Sequence, residues 1–121
     1  MMANLRLKFR AFQDNLMITS PISSKYGLQR FFGSLYEDAP IMQFTGLKDK
    51  NGKEIYEGDI LKLQYPLNYG YAGVHNKEIK VIITFEAACF WFRGEGFSDC
   101  NWHFYNEYEI VGNIYQNPEM L

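Results

Sequence analysis

Between Ile41 and Leu61 the chain reads IMQFTGLKDKNGKEIYEGDIL, and no other stretch restricts the fold so tightly. Asp49-Lys50-Asn51-Gly52 lies between two β-rich runs, and Asn-Gly supplies the positive φ of a hairpin turn at little steric cost. With Lys50-Asn51 as a type I turn and Gly52 as a left-handed bulge residue, the loop fixes the register of the strands beside it. A short strand from Lys53 to Tyr56 follows. Glu57-Gly58-Asp59 then turns the chain again, and Asp59 is placed to accept backbone N–H groups before Ile60, Leu61 and Leu63 resume a strand. Short strands joined by sharp corners build small barrels.

The rest of the chain agrees with a mainly β fold. Aromatic residues make up 17% of it, which together with the β-branched residues favours a β-rich core. At 121 residues the chain is long enough for one such core. Leu5, Leu7, Phe9 and Ala11 alternate with Arg6, Lys8 and Arg10, the period of a strand with one buried face and one basic ridge. Asp14-Asn15 makes a turn, and Leu16 to Thr19 returns as a second strand. Leu28, Phe31, Phe32 and Leu35 then follow helical spacing, so one short amphipathic helix is expected, although the aromatics around it also suit a bent strand.

After the signature hairpin, Pro66 to Asn76 reads as an exposed loop. Ile79, Val81 and Ile83 share one face of a strand that turns at Glu86-Ala87-Ala88 and pairs with Cys89 to Arg93. Phe97 to Asn106 is expected to be a second loop, and Tyr108 to Tyr115 the closing strand. Asn117 can cap a helix that starts with Pro118 at its first position.

IMQFTGLKDKNGKEIYEGDIL resembles the signature of the YopX family of bacteriophage and prophage proteins. EIVGNIYQNPEML, from Glu109 to Leu121, is similar to that family's C-terminal signature, and KFRAF, from Lys8 to Phe12, to its N-terminal strand. The resemblance implies a phage-derived protein with an SH3-like barrel and no established activity, and it carries over no catalytic residue. Within these stretches Gly46, Asn51, Gly52, Gly58, Asp59, Gly112 and Asn113 are expected to be structural. The expected organisation is a β/helical segment over residues 1–40, comprising a strand pair and the short helix, and an SH3-like β-barrel over residues 41–121.

Charge restricts the partners. Twelve basic residues against fourteen acidic ones argue against a general binder of nucleic acid. The balance is uneven, however, with five basic residues and one acidic in the first thirty positions. Arg6, Lys8 and Arg10 are therefore candidate phosphate contacts, against the plainer view that they are a solvated strand face or meet acidic residues of the same or a neighbouring subunit. Tyr69 and Tyr71 in one loop and Trp102 in the other are candidate recognition aromatics, against burial as a secondary core.

Cys89, Cys100 and His103, with His75 at a distance, lack the two compact pairs of a structural zinc site, so no metal is assigned and both cysteines are taken as reduced. Glu57/Asp59 and Glu107/Glu109 are two apart, which aims each pair to one side of a strand, but no catalytic motif accompanies them. No cofactor is expected, and no apolar run is long enough to span a bilayer.

The expectation is a cytoplasmic, non-catalytic accessory protein that acts through protein–protein interaction or self-assembly, with nucleic-acid binding as the alternative. The strand from Leu5 to Phe12, taken as an unpaired edge, suggests a homo-oligomer. A phage or host protein is the other expected partner.

Overall fold

The computed structural model describes residues 8–20, 25–64, 78–94, 97–100, 102 and 107–120. They form a mainly β fold with one short helix, in which curled sheets make a small barrel-like body. The first sheet has the order β2-β1-β3-β4, built from β1 (Phe9–Gln13), β2 (Leu16–Thr19), β3 (Ile41–Lys48) and β4 (Glu54–Tyr56). The second has the order β8-β7-β6-β5-β9, from β5 (Asp59–Gln64), β6 (Glu78–Glu86), β7 (Cys89–Gly94), β8 (Phe97–Asp99) and β9 (Tyr108–Asn113). The helix α1 (Lys25–Gly33) lies between β2 and β3 in sequence.

The signature hairpin forms as its residues dictate. Gly52 has φ +82°, and its N–H donates to the Asp49 carbonyl at 2.9 Å to close the turn. The Asp49 side chain does more than start this turn. Its Oδ1 accepts the N–H groups of Asn51 and Lys53, each at 2.9 Å, and its Oδ2 accepts that of Ile110 at 3.0 Å. One buried carboxylate thus ties the hairpin to β9, at about 1.5–3 kcal/mol for a hydrogen bond to a charged group. At the next corner Gly58 has φ +86°, and Asp59 Oδ2 accepts the Tyr56 N–H at 2.8 Å, as the sequence suggested.

Two hairpins turn on two residues each, both with positive φ. Asp14 and Asn15 stand at 53° and 61° between Gln13 and its partner Leu16, and Ala87 and Ala88 at 50° and 60° between Glu86 and Cys89. Two central residues at positive φ match the right-handed twist of the flanking strands. Asn and Asp tolerate that region because their short polar side chains bond locally; alanine has no such compensation.

The apolar core belongs mainly to the second sheet. Leu61 and Leu63 of β5 face Val81 and Ile79 of β6, and Ile83 faces Phe92 of β7. Ile55 from β4 completes a fully buried cluster, against which Phe90, Tyr108 and Ile110 pack. Alternation in β5 and β6 delivers this face directly.

Three expectations need correction. Phe97–Asp99 is not loop but β8, paired with β7 from Phe92↔Asp99 to Gly94↔Phe97. A three-residue edge strand carries too little pattern to be seen in sequence. Second, β1 is not an unpaired edge. It pairs with β2 on one side and β3 on the other, so the edge argument for a homo-oligomer through this strand falls. The β1–β3 pairing also runs across the boundary expected at residue 40. Third, Lys8 and Arg10 do not face solvent, as described next.

Candidate functional site

β1 is covered on both faces. Phe9, Ala11 and Gln13 point towards α1: the Phe9 and Phe32 rings meet edge to face at 5.4 Å, and Gln13 Nε2 donates to the Ser34 carbonyl. The Tyr36 N–H donates back to Gln13 Oε1 at 2.7 Å. The alternate residues, Lys8, Arg10 and Phe12, point the other way. Phe12 stacks on Tyr115 at 5.7 Å, just beyond β9.

The Arg10 and Lys8 side chains are therefore buried and ion-paired. Arg10 Nη2 donates to Asp59 Oδ1 at 2.6 Å, while its guanidinium lies 4.7 Å from the Tyr56 ring centre. Lys8 Nζ donates to both carboxylate oxygens of Glu54, at 2.7 and 2.9 Å. Of the plainer readings, these contacts match the one in which the basic residues meet acidic ones of the same subunit, in place of a solvated ridge. The pattern of apolar and charged residues sorts side chains by face, but partners 46 and 49 positions away decide whether the charged face is wet. Arg6, the third residue of that ridge, lies outside the described residues.

Burial pushes the Asp59 carboxyl up from its ordinary value, while Arg10 and the Tyr56 N–H pull it down. Burial also pushes the Tyr56 phenol up to about 12, with Glu54 adding to the effect and Arg10 opposing it. Its hydroxyl makes no hydrogen bond among the described residues. With Asp59 engaged at both oxygens and Arg10 held against it, this seam fastens the two sheets together. It offers neither charge to a ligand.

The other candidates resolve separately. Trp102 is partly buried: its ring lies 4.2 Å from Phe92 and meets Tyr108 edge to face at 5.5 Å, and its Nε1 donates to the Phe90 carbonyl at 3.1 Å. It packs as core, the second of the two readings that the sequence left open. Tyr69 and Tyr71 lie outside the described residues, as do Tyr65, His75, His103, Phe104 and Tyr105. Of the paired carboxylates, Glu57 accepts the Gln43 N–H at 3.4 Å and Glu109 pairs with Lys50 at 3.1 Å.

Gly112 and Asn113 are structural. A Cβ on Gly112 would stand 2.7 Å from Asn117 Oδ1. Asn113 Oδ1 accepts the N–H groups of Tyr115 and Gln116, while Asn117 Oδ1 accepts that of Asn113. The 3-10 turn Pro118–Met120 follows from this clasp.

Large hydrophobic side chains are exposed too, among them Leu47, Phe85 and a group of four. Leu16 is 63% exposed, Tyr36 58%, Ile41 45% and Phe32 40%. Leu16 is the register partner of Gln13 and Ile41 that of Ala11, so both emerge on the sheet face that carries α1. Phe32 and Tyr36 come from α1 and the segment after it. Together they form a collar of large side chains where the helix meets the sheet. Sequence reasoning placed Phe32 inward with Phe31; in fact Phe31 is buried and Phe32 half-covered, because nine residues of helix leave only a narrow buried stripe. Among the described residues no helix is long and apolar enough to cross a membrane.

A family model described as YopX protein matches residues 9–121. The fold is similar to the crystal structure of protein EF1440 from Enterococcus faecalis, at 25% identity and a TM-score of 0.57, over 98% of this chain and 99% of that one. No curated protein matches the chain.

Proposed function

The chain belongs to the YopX family, and from that premise we propose that it is a non-catalytic accessory protein of phage or prophage origin that binds another protein through the collar around α1. The observation that carries this is the division of labour between charged and apolar side chains. Lys8 and Arg10, the described members of the basic ridge, are used up in internal pairs, whereas four large apolar or aromatic side chains stand exposed on one face. Large apolar side chains gathered on one face are the usual mark of a protein contact, and phosphate binding needs free cations instead. The buried carboxylates support the same reading, since Asp49 and Asp59 spend their oxygens on backbone N–H groups and Arg10. The cytoplasm is the compartment that suits it.

The test compares the wild type with the double variant Leu16→Glu/Ile41→Glu, both sites exposed enough to leave the fold intact. Immobilised wild type is expected to retain a protein from host or phage lysate that the variant loses. Light scattering shows whether that protein is a second copy of the chain. Fluorescence polarisation with single- and double-stranded DNA, at low and moderate salt, is expected to give no binding. Steeply salt-dependent binding that survives in the variant would overturn the proposal in favour of a nucleic-acid factor.

A further inference from the structure

Cys89 opens β7, and Cys100 directly follows the last residue of β8. The register of these strands runs through Gly94↔Phe97, Arg93↔Ser98 and Phe92↔Asp99, so one further step sets Cys100 opposite Trp91. Side chains alternate along a strand, which puts Cys89, Trp91 and Cys100 on the face away from Phe90 and Phe92, the residues that meet the core. The two cysteines are then diagonal neighbours on one surface. Both are free and neither is fully buried, so a small reagent reaches them. Cys100 lies beyond the last paired residue of β8, where the backbone can take up the small shift a diagonal bridge requires.

We propose that Cys89 and Cys100 are a reversible redox pair that closes to an intramolecular disulfide by exchange with a low-molecular-weight disulfide such as oxidised glutathione. In the first step a Cys100 thiolate attacks one sulfur of oxidised glutathione. The S–S bond breaks, one glutathione thiolate leaves and a mixed disulfide forms on Cys100. In the second, the Cys89 thiolate attacks the Cys100 sulfur and expels the other glutathione. Two protein thiols are oxidised, one glutathione disulfide is reduced, and the two thiol protons go to the departing thiolates. Desolvation, with the neighbouring Cys100 adding to it, raises the Cys89 thiol above its ordinary range, which lowers its thiolate fraction and disfavours it as the first attacker. The closed bridge would tie the chain just before Trp102 to the start of β7, holding Trp102 on Phe92.

The experiment incubates the full chain with graded ratios of reduced to oxidised glutathione, quenches with acid and measures intact mass and free thiols. Both thiols are expected to vanish together, with a loss of two hydrogens, no retained glutathione and no interchain crosslink on a non-reducing gel. Cys89→Ser and Cys100→Ser are each expected to retain one glutathione instead. Oxidised wild type is expected to melt above the reduced form, a rise absent from both serine variants, because only the bridge restricts the unfolded chain. Glutathione on both cysteines of the wild type, crosslinked dimers, or two intact thiols at the most oxidising ratio would each overturn the proposal. The outcome is independent of the collar, which lies on the other sheet.

Discussion

The two sheets hide their inner faces by opposite means. In the second sheet, Leu61, Leu63, Val81, Ile83 and Phe92 make a dry apolar cluster. In the first, the face of β1 turned inward carries Lys8 and Arg10, covered by Glu54, Tyr56 and Asp59. Apolar burial is tolerant of partner identity, because dispersion and desolvation add up over many contacts. A buried ion pair is intolerant, since removing either member strands the other in a medium that solvates it poorly. The first sheet should therefore be the more sensitive to single substitutions and the more easily rescued by a second.

Arg10→Met is the largest expected effect. It leaves Asp59 charged and unpaired in the interior, at a cost of about 3–5 kcal/mol in urea unfolding. Leu61→Ala in the other sheet is expected to cost about 2–5 kcal/mol. What separates the sheets is repair: adding Asp59→Asn to Arg10→Met removes the stranded charge while keeping an acceptor for the Tyr56 N–H, and should recover most of the loss. A cycle in which the two substitutions merely add would erase the distinction drawn above.

Turns sharpen the comparison at a lower magnitude. Gly52→Val, at φ +82° with open space around it, should cost about 1–2 kcal/mol through backbone strain alone, read as a lowered thermal midpoint. In the second sheet the strain is already present at Ala87 and Ala88. The replacement Ala87→Asn/Ala88→Gly should gain about 1 kcal/mol, and a midpoint that falls instead would show that the alanines make contacts worth more than their strain.

The pH profile carries the smallest effects, both from the hairpin of β3 and β4. Burial alone would raise the Asp49 carboxyl, but the N–H groups of Ile110, Lys53 and Asn51 outweigh it and hold it below the usual aspartate value. Its contribution is present above the unfolded pKa of about 3.9 and is lost as pH falls through the lower folded value. Asp49→Asn should flatten that acid limb. Tyr56, raised to about 12, contributes stability that is full below the unfolded tyrosine value of about 10 and is lost as pH rises through the folded one. Tyr56→Phe should remove this alkaline limb with little change at neutral pH, because the hydroxyl has no partner to lose among the described residues. Alkaline melts that are identical for wild type and Tyr56→Phe would refute the assignment.

Local grammar was legible from the residues alone. Asn51-Gly52 announced a hairpin, Glu57-Gly58-Asp59 a corner, and the alternation of Leu61, Leu63, Val81 and Ile83 a core face, because turn chemistry and period act over a few neighbouring residues. The family resemblance was legible too, in residues whose roles are structural: Gly58, Asp59, Gly112 and Asn113 all hold corners or clasps. What the tertiary structure alone decided is which charges are wet. Lys8 and Arg10 alternate as solvent-facing residues do, and only the folded chain brings Glu54 and Asp59 against them. It likewise gave Asp49 a third donor from Ile110, 61 positions away, and left Phe32 and Ile41 in the open. A period records the side of an element on which a residue sits; what covers that side comes from elsewhere in the chain, and no local pattern encodes it.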